Sequence, residues 1–346
     1  MSIMQRLLKL RRKLGEQVII AAHHYQAEEI TGIADIVGDS YRLAVDVSAS
    51  DAEFIIFCGV HFMAEGASVL AKPSQKVLMP DPSAGCPMAD MITLEQAEHA
   101  LKVISSSSSR EIVPVVYMNA HAGLKAFCGT RGGSVCTSSN AKKILTYYIS
   151  RGKGVFFFPD QHLGRNTAFA LGLDRGEVIL ANDPFLEAPA GDKTVYLWDG
   201  CCPVHQEFSV SQISSLRSRY PGITVIVHPE VNDETAASSD MTGSTEYIYK
   251  AVHESPPGSF WAVGTEQRFV ERLAHECRDK TIVPLKPSPC DDMGKTTPEL
   301  LLETLESVKS STYADRVITV SEEVRSGAAQ ALSRMILLAE GGKEDG

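Results

Sequence analysis

Several features that assign proteins to well-known classes are missing from this chain of 346 residues. Basic charge is not in surplus, because 33 lysines and arginines stand against 43 aspartates and glutamates, a net charge of -10. That charge repels phosphate backbones and argues against nucleic acid as a partner. No stretch approaches the apolar length of a membrane span, and the N-terminus lacks the apolar core and cleavage site of a secretory signal. We therefore expect a cytoplasmic protein with no membrane partner.

Common catalytic signatures are missing as well. The chain has no Walker motif, no GxGxxG dinucleotide fingerprint, no GxSxG nucleophile elbow and no CxxC pair. Eight cysteines are nevertheless present. In a reducing compartment they favour metal binding or catalysis over disulfide formation. Without a CxxC pair, a metal held by several of them has to lie where separate segments converge, as cofactors do at domain junctions.

The apolar segments predict an α/β fold with parallel strands. Nine short runs of β-branched or aromatic residues alternate with helical patterns, which is typical of parallel strands covered on both faces. The runs fall into three sets of three, and this indicates a diverged internal triplication in which each unit runs strand, helix, strand, helix, strand. They are VIIAAHHY, FIIFCGV and KVLMPD; IVPVVYMN, GVFFFPD and TVYLWDG; and ITVIVHPE, SFWAVGTE and TIVPLKP.

The triplication divides the chain into three αβα units and a C-terminal segment. We assign residues 1–90 to the first unit, 91–204 to the second and 205–295 to the third. Residues 296–346 are predicted to form helices that pack back on the body. Within the first unit, the segment EEITGIADIVGDSYRLAVDVSA is predicted as one long helix over residues 28–49. The serine run at 105–109 is predicted as an exposed loop.

Polar residues at the strand ends are the candidates for a functional site, because the carboxyl ends of parallel strands carry the ligand site. His23 and Tyr25 lie two apart at one strand end, so their side chains point the same way and can relay a proton. His228 and Glu230 repeat that spacing, and burial is expected to raise the pKa of Glu230 into the range of a general acid/base. The simpler alternatives are a core histidine and an acid at a helix N-terminus. The full set is His23, Tyr25, Tyr117, Asn119, Asp160, His162, His228, Glu230, Thr265 and Glu266.

Three of the cysteines follow strand ends and lie beside a proline: Cys86, Cys202 and Cys290. Three thiolates on a four-iron cluster leave one iron without a protein ligand, and that iron can act as a Lewis acid on a substrate oxygen. Zinc held by three cysteines and a water is an open alternative. Cys58, inside an apolar strand, is interpreted as a small buried hydrophobe. Packing or incidental exposure is also favoured over ligation for Cys128, Cys136 and Cys277.

Hydroxyl-rich motifs precede or lie within predicted helices at residues 38–40 (GDS), 137–140 (TSSN) and 243–245 (GST). Their hydroxyls and the backbone N–H groups suit carboxylate or phosphate oxygens. Arg165 either binds such a group or pairs with Asp160 on the surface.

A longer series of motifs occurs in order along nearly the whole chain: HHYQ, GDS, PDPSAGCPMADM, YMNA, TSSNA, FPDQHLGRN, DGCCPVH, VHPE, GSTEYI, GTE and CDDMGKTTPELLLETLES. Together they closely resemble the quinolinate synthase family, the A protein of NAD biosynthesis. The resemblance implies three similar αβα units with short parallel sheets, arranged in pseudo-threefold fashion around a central active-site cavity. It also implies a 4Fe-4S cluster with three cysteine ligands and one open iron.

The resemblance further implies a condensing and dehydrating transferase that joins iminoaspartate and dihydroxyacetone phosphate, releasing phosphate and two waters to make quinolinate. Carried over to this sequence, the cluster ligands are Cys86, Cys202 and Cys290, although the neighbouring Cys201 leaves the choice at the second position open. The catalytic set is His23, Tyr25, His205 and Glu230. The substrate-binding set is Ser40, Tyr117, Asn119, Ser138, His228 and Thr245. Because iminoaspartate is unstable in water, transient contact with an aspartate-oxidising enzyme is plausible. A zinc-dependent lyase or hydrolase and a non-catalytic iron-sulfur sensor are the competing interpretations.

Overall fold

Three short, all-parallel sheets carry the fold of the computed structural model, which describes residues 1–181 and 192–342. The first sheet has the strand order β2-β1-β3-β4. Its elements are α1 Ile3–Leu14, β1 Val18–His23, α2 Glu28–Thr31, β2 Ile36–Gly38, α3 Ser40–Ala49, β3 Phe54–Cys58, α4 His61–Leu70 and β4 Lys76–Leu78, with short 3-10 helices at Gly15–Gln17 and Pro87–Asp90.

The second sheet has five strands in the order β6-β5-β7-β9-β8. Its elements are α5 Leu94–Ser107, β5 Ile112–Tyr117, α6 Ala122–Gly129, β6 Ser134–Cys136, α7 Ala141–Ile149, β7 Gly154–Phe158, α8 Gln161–Ala170, β8 Val178–Ala181 and β9 Val195–Trp198.

The third sheet has the order β11-β10-β12-β13, which repeats that of the first. Its elements are α9 Pro203–Gln206, α10 Val210–Arg219, β10 Thr224–Val227, α11 Asp233–Ser238, β11 Met241–Thr242, α12 Thr245–Glu254, β12 Phe260–Gly264, α13 Gln267–Glu276 and β13 Thr281–Pro284. The chain continues through α14 Asp291–Gly294, α15 Pro298–Ser310, a 3-10 helix at Ala314–Arg316 and α16 Glu322–Ala339.

The predicted fold class is confirmed, and all nine predicted strands are present as β1, β3, β4, β5, β7, β9, β10, β12 and β13. Their apolar runs are continuous because both faces of each sheet are covered. In β3, Ile55 and Phe57 enter the large central core, whereas Phe54 and Ile56 enter a second core on the opposite face, beneath α1 and α15. Burial on two faces removes the polar alternation of a half-exposed strand.

Four short strands were not predicted from the sequence. Three of them, β2, β6 and β11, pair in parallel with the first strand of each unit, and β8 pairs with β9 at one end of the second sheet. Runs of two to four residues carry no usable periodicity. They are strands because a neighbouring strand has a free edge that supplies their hydrogen bonds.

The long helix predicted over residues 28–49 is wrong. The segment forms α2, then β2, then α3, because Ile36–Gly38 pairs with β1 and Asp39 caps the start of α3 by accepting from the backbone N–H of Arg42 at 2.9 Å. The serine run is also only partly a loop, since α5 continues through Ser107.

The C-terminal helices pack on two different units. Helix α15 lies against α1, where Leu301 and Leu305 join Leu7 in the second core. Helix α16 lies against α6, and a Cβ at Gly129 would come within 1.9 Å of the carbonyl oxygen of Gly327. The glycine at the end of α6 therefore allows the two helix backbones to touch. The unit boundaries given above remain a prediction. Within the two described ranges, no helix has the length and apolar composition needed to cross a bilayer.

Candidate active site

Strand ends from all three units line one cavity of about 440 Å³. The cavity brings together every residue that the sequence analysis assigned to catalysis, substrate binding or metal ligation. Those residues are His23, Tyr25, Ser40, Cys86, Tyr117, Asn119, Ser138, Cys202, His205, His228, Glu230, Thr245 and Cys290.

Each of the three cavity cysteines occupies the N-cap position of a short helix. Cys86 precedes the 3-10 helix at Pro87–Asp90, Cys202 precedes α9, and Cys290 precedes α14. None of the three sulfurs forms a capping hydrogen bond, but backbone N–H groups of the following turn act to lower the pKa of each thiol. These groups belong to Met88 and Ala89 for the first, His205 for the second, and Asp292 and Met293 for the third.

Burial works against ionisation of these thiols. It raises the pKa of Cys86 to about 12 and the pKa of Cys202 well above its ordinary value. A negative charge on Cys290 raises the pKa of Cys86, and one on Cys86 raises the pKa of Cys202, so each thiolate disfavours ionisation of its neighbour. Three half-buried thiols whose backbone surroundings favour the thiolate fit a cationic metal centre, since bound metal deprotonates its thiols.

The three cysteine corners are built in the same way. In each unit, the first residue of the helix after the middle strand donates its N–H to the carbonyl of the residue two before the cysteine. The contacts are His61 to Ala84 at 2.7 Å, Gln161 to Gly200 at 2.8 Å and Gln267 to Ser288 at 3.1 Å. This repeated contact is a structural trace of the triplication that the strand pattern predicted.

The double cysteine is separated by the fold. Cys202 lines the cavity, whereas Cys201 does not and directs its backbone N–H to the sulfur of Met91 at 3.3 Å. Cys58, Cys128 and Cys136 are fully buried in apolar cores, and Cys277 is nearly so. These four side chains are packed in the interior, and the sulfur of Cys277 also lies 3.6 Å from Nδ1 of His253.

Glu230 is a buried carboxylate with three polar neighbours. Tyr117 donates its hydroxyl to Oε1 at 2.5 Å, and Oε2 lies 2.6 Å from Nδ1 of His205 and 3.7 Å from Nδ1 of His228. The two imidazole rings stack with centroids 4.5 Å apart. Burial alone would raise the pKa of Glu230, but the two histidines and the hydrogen bond from Tyr117 outweigh it and lower the pKa to about 2. The expected rise in the pKa of Glu230 is therefore wrong.

A chain of polar contacts, here called the hydroxyl–imidazole chain, runs from Tyr25 through Thr265 and His205 to Glu230. The Tyr25 hydroxyl lies 2.7 Å from Oγ1 of Thr265, which lies 3.1 Å from Nε2 of His205. Thr265 is completely buried behind the cavity wall. Thr265 was named as a candidate from the sequence because it follows β12. Only the structure shows that it connects Tyr25 to His205.

His23 does not contact the Tyr25 hydroxyl as the predicted relay requires. Its Nδ1 instead accepts the backbone N–H of Tyr25 at 3.2 Å, and the two rings meet edge to face at 4.6 Å. Burial lowers the pKa of His23 well below its ordinary value, which favours the neutral ring. Burial also raises the pKa of Tyr25, and the charge of Glu230 adds to the effect.

The hydroxyl-rich motifs stand at the ends of the unpredicted edge strands. Ser40 is the first residue of α3 after β2, Thr245 is the first residue of α12 after β11, and Ser138 lies between β6 and α7. Ser138 is also 3.2 Å from Nε2 of His228. Among the described residues, no lysine or arginine lines the cavity. An anionic ligand would thus meet hydroxyls and helix N-termini.

The PDQHLGRN segment contributes less than the sequence suggested. Asp160 caps α8 by accepting from the N–H of Leu163 at 2.7 Å, and Arg165 contacts Gln161 at 3.1 Å. Neither these residues nor His162 line the cavity, and the expected pairing of Arg165 with Asp160 is not formed.

Several cavity residues were missed by the sequence analysis. Phe62 and Met63 of α4 form an apolar part of the wall, and Asp291 and Asp292 lie beside the third cysteine. Phe62 and Met63 carry no sequence signal, since apolar residues in a helix are normally core. The two aspartates directly follow Cys290, and that adjacency was the available signal.

Comparison with known proteins identifies the family of this chain. The family model described as Quinolinate synthetase A protein matches residues 5–337. Proteins named quinolinate synthase from Geobacillus kaustophilus and Streptomyces coelicolor are 45% and 44% identical, over 95% of this chain and 92% and 86% of their own lengths. One from Bacillus cereus is 42% identical over 96% of this chain and 92% of its own length. The chain therefore belongs to the quinolinate synthetase A family.

Proposed function

We propose that this chain condenses iminoaspartate with dihydroxyacetone phosphate to form quinolinate, phosphate and two waters, as a step of NAD biosynthesis. The observation that carries the proposal is the convergence of three cysteines at helix N-caps, one from each unit, on a single cavity. The name that the relatives share supports the choice of product.

The proposed cofactor is a 4Fe-4S cluster held by Cys86, Cys202 and Cys290. When bound, it supplies an iron without a protein ligand, which acts as a Lewis acid towards a hydroxyl or carbonyl oxygen of the substrate. The chain contributes backbone N–H groups that act to lower the pKa of all three thiols and so favour the thiolates.

Substrate binding is assigned to the hydroxyl and amide side chains. Ser40, Ser138 and Thr245 come from three different units and would hold carboxylate or phosphate oxygens together with the nearby helix N-termini. The side-chain oxygen of Asn119 is buried and has no hydrogen-bond partner among the described residues, so it can pair with a donor on the substrate. Tyr117 is already engaged with Glu230 and would orient that carboxylate.

Proton movement is assigned to the hydroxyl–imidazole chain. The negative charge of Glu230, with Oε2 2.6 Å from Nδ1 of His205, favours the tautomer with hydrogen on that nitrogen and leaves Nε2 as an acceptor, although the two atoms are not aligned as a hydrogen bond. Thr265 can then donate to Nε2 and accept from the Tyr25 hydroxyl. In this arrangement Tyr25 takes a proton from the substrate while its own proton passes through Thr265 to His205, whose imidazolium Glu230 stabilises. His23, whose Nδ1 accepts the N–H of Tyr25, carries its hydrogen on Nε2 and can donate it to a departing hydroxyl.

One reconstitution experiment tests the proposal. Protein purified without oxygen and loaded with iron and sulfide should be brown, bind about four irons per chain, and form quinolinate from the two substrates. A zinc-dependent lyase is the second candidate, favoured by the ligand atoms of Cys202, His205 and Glu230, which lie within 4.8 Å of one another. Zinc-loaded protein should be inactive. Quinolinate formation by the zinc-loaded protein would refute the proposed function. A protein that binds the cluster but forms no quinolinate would also refute it, and would favour an iron-sulfur sensor.

Two broader assignments accompany this function. We place the protein in the cytoplasm, which is supported by eight cysteines that are all free thiols. Delivery of iminoaspartate by transient contact with an aspartate-oxidising enzyme stays a prediction, because it depends on the instability of that substrate. A coupled assay in which the oxidase and this protein are separated by a dialysis membrane would lose activity if contact is needed.

A further inference from the structure

The backbone of Cys290 is held on both sides by one ion pair, Glu266 and Arg268. Oε1 of Glu266 accepts the N–H of Cys290 at 3.1 Å, and Nη1 of Arg268 donates to the carbonyl of Cys290 at 3.0 Å. The two charged groups are themselves joined at 2.9 Å. Both polar backbone groups of one cavity cysteine thus contact the same pair.

The pair is itself rigidly held. Glu266 is completely buried and caps α13, with Oε2 accepting the N–H of Phe269 at 3.2 Å. Arg268 lies so close to α14 that a Cβ at Gly294 would come within 2.5 Å of Nη2. The arginine therefore reaches from the start of α14 at Cys290 to its last residue.

The α14 segment in turn contacts the first unit. Asp292 accepts the N–H of Gly85 at 3.2 Å, directly before the first cavity cysteine, and Lys295 donates to the carbonyl of Ser83 at 2.9 Å. Gln26 at the end of β1 donates to the carbonyl of Met293 at 3.0 Å. A displacement of α14 would thus be transmitted to the corner that carries Cys86.

The other two corners are not held by such a pair. Asp160 occupies the position of Glu266 in the second unit, capping the helix after the middle strand, and the backbone N–H of Cys202 acts to lower its pKa. Within the described ranges, however, Asp160 has no arginine partner, and its Oδ2 has no hydrogen-bond partner. In the first unit the position is Val60, which has no polar side chain. Since the strand order and the carbonyl contact repeat among the units, the ion pair is an addition specific to the third corner.

We propose that Glu266 and Arg268 are positioning residues that hold Cys290 in the orientation needed to bind the cluster and, through Asp292, support the corner of Cys86. The proposal rests on the cluster assigned under the proposed function. Neither side chain lines the cavity, so neither would touch substrate.

The test compares Glu266→Gln and Arg268→Lys with Glu271→Gln, a matched charge removal at an exposed position on the same helix. The first change removes the charge that pairs with Arg268, and the second keeps the charge but loses the planar guanidinium, whose Nη1 contacts both acceptors while Nη2 lies against α14. In the reconstituted protein, release of iron to a chelator should be about 10- to 100-fold faster in these two variants, as when partners of metal ligands are removed. The electron paramagnetic resonance signal of the reduced cluster should also change. The control should match the parent protein.

A second readout uses iron-free protein. Alkylation of Cys290, followed by peptide mass spectrometry, should be about tenfold faster in Glu266→Gln and Arg268→Lys, while circular dichroism shows that both are folded. Equal alkylation and equal iron release in all four proteins would overturn the positioning role. If the parent protein binds no cluster at all, the proposed function fails, and the alkylation rates still decide whether the pair orders Cys290.

Discussion

The sharpest prediction concerns Glu230, the buried carboxylate of the cavity. Glu230→Gln keeps the shape of the side chain but removes its negative charge. In the parent protein Oε2 of that carboxylate lies 2.6 Å from Nδ1 of His205, and Oε1 accepts the Tyr117 hydroxyl at 2.5 Å. An amide cannot stabilise an imidazolium, so His205 can no longer take a proton from the hydroxyl–imidazole chain. Loss of one general acid/base group costs about 100- to 10,000-fold in rate. That range corresponds to about 3–5 kcal/mol in the activation barrier.

The assay is the anaerobic formation of quinolinate, with kcat expressed per bound cluster so that poor loading is not mistaken for poor catalysis. Glu234→Gln is the matched control, because Glu234 is an exposed acid four residues further along the chain. It should retain the parent kcat. Iron content and visible absorption should be unchanged in both variants, since Glu230 is not among the proposed ligands.

A variant Glu230→Gln that binds its cluster and turns over at the parent rate would remove Glu230 from the chemistry. Loss of the cluster in this variant, with Glu234→Gln intact, would instead indicate that Glu230 is a metal ligand. The close approach of Glu230 to Cys202 and His205 makes that a real alternative outcome.

Three further changes have definite expected results. Cys202→Ala should abolish the visible absorption of the cluster, whereas Cys201→Ala should keep it. The reverse result would show that Cys201 is the ligand instead of Cys202. Gly129→Ala should lower the free energy of unfolding by about 1–3 kcal/mol, because its Cβ would meet a backbone carbonyl of α16. Gly123→Ala on the same helix is the control, since its Cβ would meet open space. Equal thermal midpoints for the two variants would contradict this packing. Thr265→Val should lower kcat about tenfold by interrupting the hydroxyl–imidazole chain, with recovery in Thr265→Ser. An unchanged kcat in the valine variant would show that protons take another route.

The sequence alone predicted the class of the fold and, largely through the family resemblance, proposed most of the residues that line the cavity. Strands such as β7 are recognisable because three consecutive phenylalanines, Phe156 to Phe158, are apolar on both faces. Cys86, Cys202 and Cys290 were recognisable because each follows a strand end beside a proline, and parallel strand ends converge. Both signals are local, so no knowledge of long-range contacts was needed.

Only the tertiary structure decided which strands complete the sheets and how the buried charges behave. Strands as short as β2 and β11 exist because a neighbour offers hydrogen bonds, and such pairing leaves no periodic pattern in the sequence. The pKa of Glu230 is lowered because His205 and His228 approach it from other segments, and this outweighs burial. Interactions between residues distant in the chain set these energies, so local sequence could propose Glu230 but could not determine its charge.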